Sequence, residues 1–148
     1  MELTAAQHKE LGIALFNETW MYLDMSARTG AQDFHMMDTA HASAYHWSFA
    51  GDHVNELRSQ WQLSRVYAVL SMGESALCHA LRSLSLCQEH AVKGFDLAFA
   101  YEAMARAYAV LKDAARTEEY KNKALALAAE IEDEGDRAYT LGEINSIA

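Results

Sequence analysis

Histidine is the one chemically loaded residue in unusual supply, with seven in 148 residues. Five polar side chains, His35, Asp38, His41, Tyr45 and His46, fall in one stretch with helical spacing. Ligands three or four apart share a helix face, so His35 with Asp38 and Asp38 with His41 have the spacing of a metal-binding pair. His41 shares a face with Tyr45, whereas His41 and His46 point roughly 140° apart on a helix. A further ligand would have to come from elsewhere, with Glu18 and Asp24 as candidates. The chain lacks HExxH, paired ExxH and CxxC patterns, and lone His–Asp pairs on helices are usually hydrogen-bonded partners. The expectation is therefore no metal and no cofactor, with His35, Asp38 and His41 as the alternative metal set.

His41, Tyr45 and His46 also form a candidate polar cluster within the run His41-Ala42-Ser43-Ala44-Tyr45-His46-Trp47. In one reading these tips touch a ligand. In the other, Tyr45 and Trp47 plug the joint between the first helix pair and the rest, with the hydroxyl or indole N–H bonded to backbone. Nucleophilic catalysis has no support: Ser64, Ser71, Ser75 and Ser83 lie in or at the ends of helical stretches, with no G-x-S-x-G elbow. Gly73, Gly94 and Gly135 are single breaks and not phosphate cradles. Glu118-Glu119 and Glu132-Asp133 are sequence neighbours on exposed stretches, a poor arrangement for acid–base work. A non-enzyme is expected, and the rival is a metal- or small-molecule-binding enzyme using the His35/Asp38/His41/Tyr45 face.

The elements that position these side chains follow from composition and spacing. Proline is absent, glycine appears seven times, and 51% of residues are apolar. That balance supports a full core, and it argues against sandwiches and barrels, which need many turns. The expected fold is all-α in a single domain over 1–148. Acidic residues outnumber basic ones 21 to 12, for a formal charge of −9. The basic residues are scattered, so nucleic acid and anionic membrane surfaces are poor partners. The N-terminal stretch mixes charges with apolar residues and reads as neither signal peptide nor membrane span. Cys78 and Cys87 lie nine apart on one helix, roughly 13 Å between Cα atoms, which is beyond disulfide reach. Free thiols fit a reducing setting, and a cytoplasmic location is expected.

Apolar spacing and small-residue breaks mark seven helices, at about 4–25, 31–49, 53–71, 74–90, 96–111, 114–131 and 136–147. Asp52 and Asp96 are the expected caps of the third and fifth. In the fifth helix Leu97, Tyr101, Met104, Tyr108 and Leu111 form an apolar stripe, flanked by many alanines. A helix of that kind is central, with the stripe as core. The segment Arg65-Val66-Tyr67-Ala68-Val69-Leu70 recurs as Arg106-Ala107-Tyr108-Ala109-Val110-Leu111, 41 residues on, and Trp20 lies 41 before Trp61. Recurrence of a helix pair at this period marks stacked helical repeats. The organisation is then an N-terminal pair over 4–49, repeats over 53–90 and 95–131, and a capping helix over 136–147.

The repeat units resemble the tetratricopeptide repeat family. Leu63, Ser64, Tyr67, Leu70, Ala76, Ala80, Ser83 and Leu84 follow its pattern in one unit; Ala105, Tyr108, Leu111, Asp113 and Ala124 do so in the next. Thr117 and Lys121 depart from it, and the closing Pro is missing from both. The run from His41 to Trp47 is similar to a segment of uncharacterised bacterial repeat proteins, a likeness that brings no activity. The resemblance implies a stack of antiparallel helix pairs whose first helices line a concave groove. It places Arg58, Trp61 and Arg65 of one unit, and Phe99, Glu102 and Arg106 of the next, in that groove. Two arginines at equivalent positions suit a partner's carboxylate, with Trp61 and Phe99 as apolar walls. The alternative is that Arg106 pairs with Glu102 at i,i+4 and Arg65 with a neighbouring helix. The implied function is a protein- or peptide-binding scaffold, with a homodimer as the further alternative.

Overall fold

A computed structural model describes residues 1–148 and contains seven α-helices and no strand. They are α1 (Ala5–Leu23), α2 (Gly30–Trp47), α3 (His53–Val69), α4 (Gly73–Glu89), α5 (Phe95–Val110), α6 (Ala114–Ala129) and α7 (Glu134–Asn145). Local chemistry starts most of them. Thr4 and Thr29 close capping boxes with Gln7 and Gln32, and Asp52 does so with Asn55. Asp113 and Asp133 accept from the backbone N–H three residues on. Asp96 does not cap α5, contrary to expectation. Gly94 takes that place with φ +67, a left-handed backbone that glycine adopts without strain. Asp96 sits in the first turn instead, paired with Arg58.

The 41-residue recurrence extends into the backbone. Ser71 ends α3 at φ +60 and Lys112 ends α5 at φ +63. Just after them, Met72 N–H donates to the Tyr67 carbonyl at 2.9 Å and Asp113 N–H to the Tyr108 carbonyl at 3.0 Å. Both are the 6→1 bond of a left-handed helix stop. Each hairpin therefore turns in the same way at the same register.

Hairpins α1/α2, α3/α4 and α5/α6 stack in order. α3 touches α1 and α5, and α5 touches α7, so the odd-numbered helices lie side by side as one layer. α2, α4 and α6 each pack on the odd helix before and the odd helix after. α5 is central, held among α3, α4, α6 and α7. Its core face differs from the expected stripe. Ala98, Ala100, Ala103, Ala105 and Ala107 are all buried, with Met104 among them, while Leu97, Tyr101 and Tyr108 are half-buried and Leu111 is exposed. Alanines let four helices approach closely, so the small residues occupy the interior and the large ones fill its edges. Ile144 of α7 closes the last face, packed on Ala124 and Ala128 of α6.

No helix is long and apolar enough to cross a membrane. Cys78 is exposed and Cys87 buried, and neither is bridged. Burial, with a smaller effect from Asp96, pushes the Cys87 thiol up to about 11.

Candidate binding groove

The side-by-side odd helices bring equivalent positions into rows. Trp20, Trp61, Glu102 and Glu143 are spaced by 41 on α1, α3, α5 and α7; so are Asp24, the C-cap of α1, Arg65 on α3 and Arg106 on α5. The Trp20 and Trp61 rings tilt together with centroids 5.6 Å apart. Further along the row the aromatic pair gives way to ion pairs. Arg65 Nη2 donates to Glu102 Oε1 at 3.1 Å and to Glu143 Oε2 at 3.0 Å. Arg106 Nε donates to the same Glu102 oxygen at 2.7 Å, and Arg106 Nη2 reaches the Glu143 carbonyl and Ser146 Oγ, each at 3.1 Å. The Arg65 guanidinium also lies 5.5 Å from the Trp61 ring centre, a cation–π distance.

Glu102 is fully buried among the alanines of α5. All its protein contacts are on Oε1; Oε2 has no protein partner, and neither do the buried Trp61 Nε1 and Arg65 Nε. Two donors and one acceptor thus lie unpaired around one ion cluster. An unsatisfied buried polar atom costs about 1–3 kcal/mol.

Beside the cluster is an apolar cleft of about 290 Å³ walled by Phe16, Trp20, Trp61, Phe95, Phe99 and Tyr139. Ligand pockets run from ~300 to ~1,000 Å³, so this one suits a single bulky side chain or ring. Its rim carries Arg58, locked to Asp96 by two hydrogen bonds of 2.9 and 3.0 Å. A polar cleft of about 430 Å³ adjoins it, lined by Trp20, Leu23, Asp24, Arg65, Tyr139 and Glu143. Trp20 and Tyr139 line both. Burial, then Glu143, holds the Tyr139 hydroxyl above its ordinary range; Glu102 and Asp24 act in the same sense and Arg65 in the opposite one. A larger opening of about 860 Å³ lies between α5, α6 and residues 146–148. Several of its polar groups are already satisfied: Arg106 by Ser146, Lys121 Nζ by the Ile147 carbonyl, and Asp113 by the α6 cap.

The structure thus brings Trp61, Arg65, Phe99, Glu102 and Arg106 together, with Arg58 at the edge. The two arginines are not free: Glu102 and Glu143 already hold the place that the sequence assigned to a partner's carboxylate. Phe16, Trp20, Asp24, Phe95, Tyr139 and Glu143 also belong to the groove. Extending the Trp20-to-Trp61 interval through Glu102 to Glu143 finds two of them.

Comparison of the chain with protein-family models, curated proteins and solved structures gives no match.

The histidine-rich face of α2 is dispersed. His41 Nε2 bonds the Tyr67 hydroxyl of α3 at 2.7 Å, and its ring lies 5.8 Å from that of His79 on α4. His46 turns to α1, where its Nδ1 is 2.9 Å from His8 Nδ1. Tyr45 is exposed, edge-on to Phe49, and so plugs no joint. Trp47 packs on α1 at Gly12, where an added methyl would come within 3.0 Å of its indole. His35 stacks beside Tyr22, and Asp38 is exposed. The set His35, Asp38 and His41 does not assemble, and no three His, Cys, Asp or Glu side chains converge as a metal site. The reason is geometric: α2 packs on α1 and α3, so its histidines are drawn to partners on opposite sides.

Proposed function

We propose that this protein is a non-enzymatic binding module of tetratricopeptide-like type, taking a peptide or protein segment in the groove formed by α1, α3, α5 and α7. The free thiols accord with a cytoplasmic setting. The observation that carries the reading is the six-residue aromatic cleft, contributed by all four odd-numbered helices and filled by no side chain of the chain itself. Aromatic walls from four helices suit an extended segment whose side chain fills the cleft. The arginines around the cleft are held within the chain: Arg58 by Asp96, and Arg65 and Arg106 by Glu102 and Glu143.

The test is selection of linear peptides from a random library on the whole protein, with binding followed by the indole N–H resonances of Trp20 and Trp61. Selected peptides should bind saturably, shift both resonances, and lose at least about ten-fold in affinity on Trp20→Ala. Binding that leaves both indoles unmoved overturns the assignment. So does self-association, seen by light scattering, that buries the groove and is abolished by Trp20→Ala.

A further inference from the structure

The charge around the groove specifies its occupant more closely. Of the acidic and basic groups lining the polar cleft, Asp24 and Glu143 are carboxylates and Arg65 is the one guanidinium. Behind them Glu102 and Arg106 cancel. Arg65 is divided between Glu102 and Glu143, so its charge is already engaged. Asp24 has no ion-pair partner and is exposed. One uncompensated negative charge is left at the mouth of the cleft, against the aromatic wall of Trp20 and Tyr139. Burial is the first cause of the raised Tyr139 hydroxyl; Glu143, Glu102 and Asp24 add to it and Arg65 opposes them. Over the whole chain the formal charge is −9, which steers cations inward and repels acidic segments.

We infer that the groove selects a basic peptide segment, with a bulky apolar side chain in the cleft of Phe16, Trp61 and Phe99 and a lysine or arginine beside Asp24 and Glu143. The shared walls Trp20 and Tyr139 make the two subsites neighbours, so the apolar and cationic residues of the segment are close in its sequence. The cation gains from the carboxylates and from the ring faces of Trp20 and Tyr139. An acidic residue in the same place would meet the unpaired carboxylate of Asp24, while Arg65 is held by Glu102 and Glu143 and cannot offset it. The inference rests on the groove being the binding site, and it reverses the sign of the partner charge that two free arginines would imply.

The probes are fluorescein-labelled, end-blocked hexapeptides carrying one Phe or Leu and one Lys at each spacing, with matched sets in which Glu or Gln replaces Lys. Binding is measured by anisotropy on the whole protein and localised by the Trp20 and Trp61 indole resonances. The Lys set should bind about ten-fold tighter than the Glu set at low salt, and raised salt should narrow the gap. Asp24→Asn should bring the Lys set towards the Gln set and leave the Gln set unchanged. Trp20→Ala should weaken all three. Equal or tighter binding of the Glu set overturns the charge assignment while leaving the groove in place. A Lys preference that survives Asp24→Asn also overturns it. If no set moves the indoles, the groove reading fails and the inference fails with it.

Discussion

Arg65 on α3 and Glu143 on α7, 78 positions apart in sequence, meet at 3.0 Å across the groove. That contact joins the last helix to the second hairpin and, through Glu102, to the central helix. The ion cluster therefore serves the architecture as well as the lining of the groove.

Removing Glu102 leaves Arg65 and Arg106, with side chains only 12% and 19% exposed, facing one another. Breaking a buried pair from one side costs about 3–5 kcal/mol, so urea unfolding of Glu102→Ala should show a loss of about 3 kcal/mol. Arg82 pairs with Glu56 and Glu89 in water, at 47% exposure. Arg82→Ala should cost less than about 1 kcal/mol. Equal losses for the two variants would mean that the cluster behaves as a surface pair.

Gly12 and Gly142 both lie inside helices and answer oppositely to alanine. A Cβ on Gly12 falls 3.0 Å from the Trp47 indole, whereas nothing lies within 4 Å of one on Gly142. Gly12→Ala should destabilise by about 1–2 kcal/mol and shift Trp47 fluorescence. Gly142→Ala should stabilise by roughly 0.5–1 kcal/mol through helix propensity. Thermal melts of both variants test the packing of α1 on α2.

Lys112 holds φ +63 at the end of α5. A left-handed residue with a side chain costs roughly 1–2 kcal/mol, part of which glycine gives back as greater freedom in the unfolded chain. Lys112→Gly should therefore raise stability by about 0.5 kcal/mol, and Ser71→Gly at the equivalent turn should act in the same direction. A loss at either site would contradict the shared helix stop.

Burial and, less strongly, His41 hold His79 below its ordinary pKa in the folded chain. The unfolded chain then binds the proton more readily. The stability that His79 contributes is present above its unfolded value, about 6.5, and is lost as pH falls through the lower folded value. His79→Gln keeps a donor for Gln60 Oε1, which accepts from His79 Nδ1 at 2.7 Å. Denaturation midpoints from neutral to mildly acidic pH should fall more steeply for wild type than for this variant. Parallel curves would rule out His79 as a source of the slope.

Much of the helix order was legible because its signals are local. The breaks at Gly51-Asp52, Gly73 and Lys93-Gly94 all fall at helix boundaries, and Asp52 caps as its position before an apolar run implies. Helix ends were misplaced by up to two residues, and left-handed stops at Ser71, Ala91 and Lys112 follow α3, α4 and α5. Those stops use a serine, an alanine and a lysine, none of which advertises a positive φ. In α5, periodicity found a central helix and a stripe of which Met104 is fully buried and Leu97, Tyr101 and Tyr108 pack on the core, but it left out the buried alanines, because alanine gives little signal in an apolar pattern.

Trp61 and Phe99, which the repeat resemblance places together, meet with ring centroids 5.5 Å apart; of the two readings given for the arginines, the structure shows the one in which Arg106 pairs with Glu102 at i,i+4 and Arg65 with neighbouring helices. The sequence offered Arg65 either a partner's carboxylate or a neighbouring helix, without naming the residue it meets. Only the docking of α7 shows that Glu143 takes it. Tyr139 entered no expectation for the same reason, being one exposed tyrosine on a helix read as a cap.

By itself the sequence determined the all-helical class, the seven segments and the 41-residue recurrence, because hydrogen bonding within helices and turns depends on residues a few positions apart. The tertiary structure decided that the α2 histidines part company, that Glu102 and Glu143 neutralise the paired arginines, and that aromatic side chains from four helices wall one cleft. Apart from the i,i+4 pair of Glu102 and Arg106, the contacts that decide those outcomes join different helices, whose meeting is set by how the helices stack.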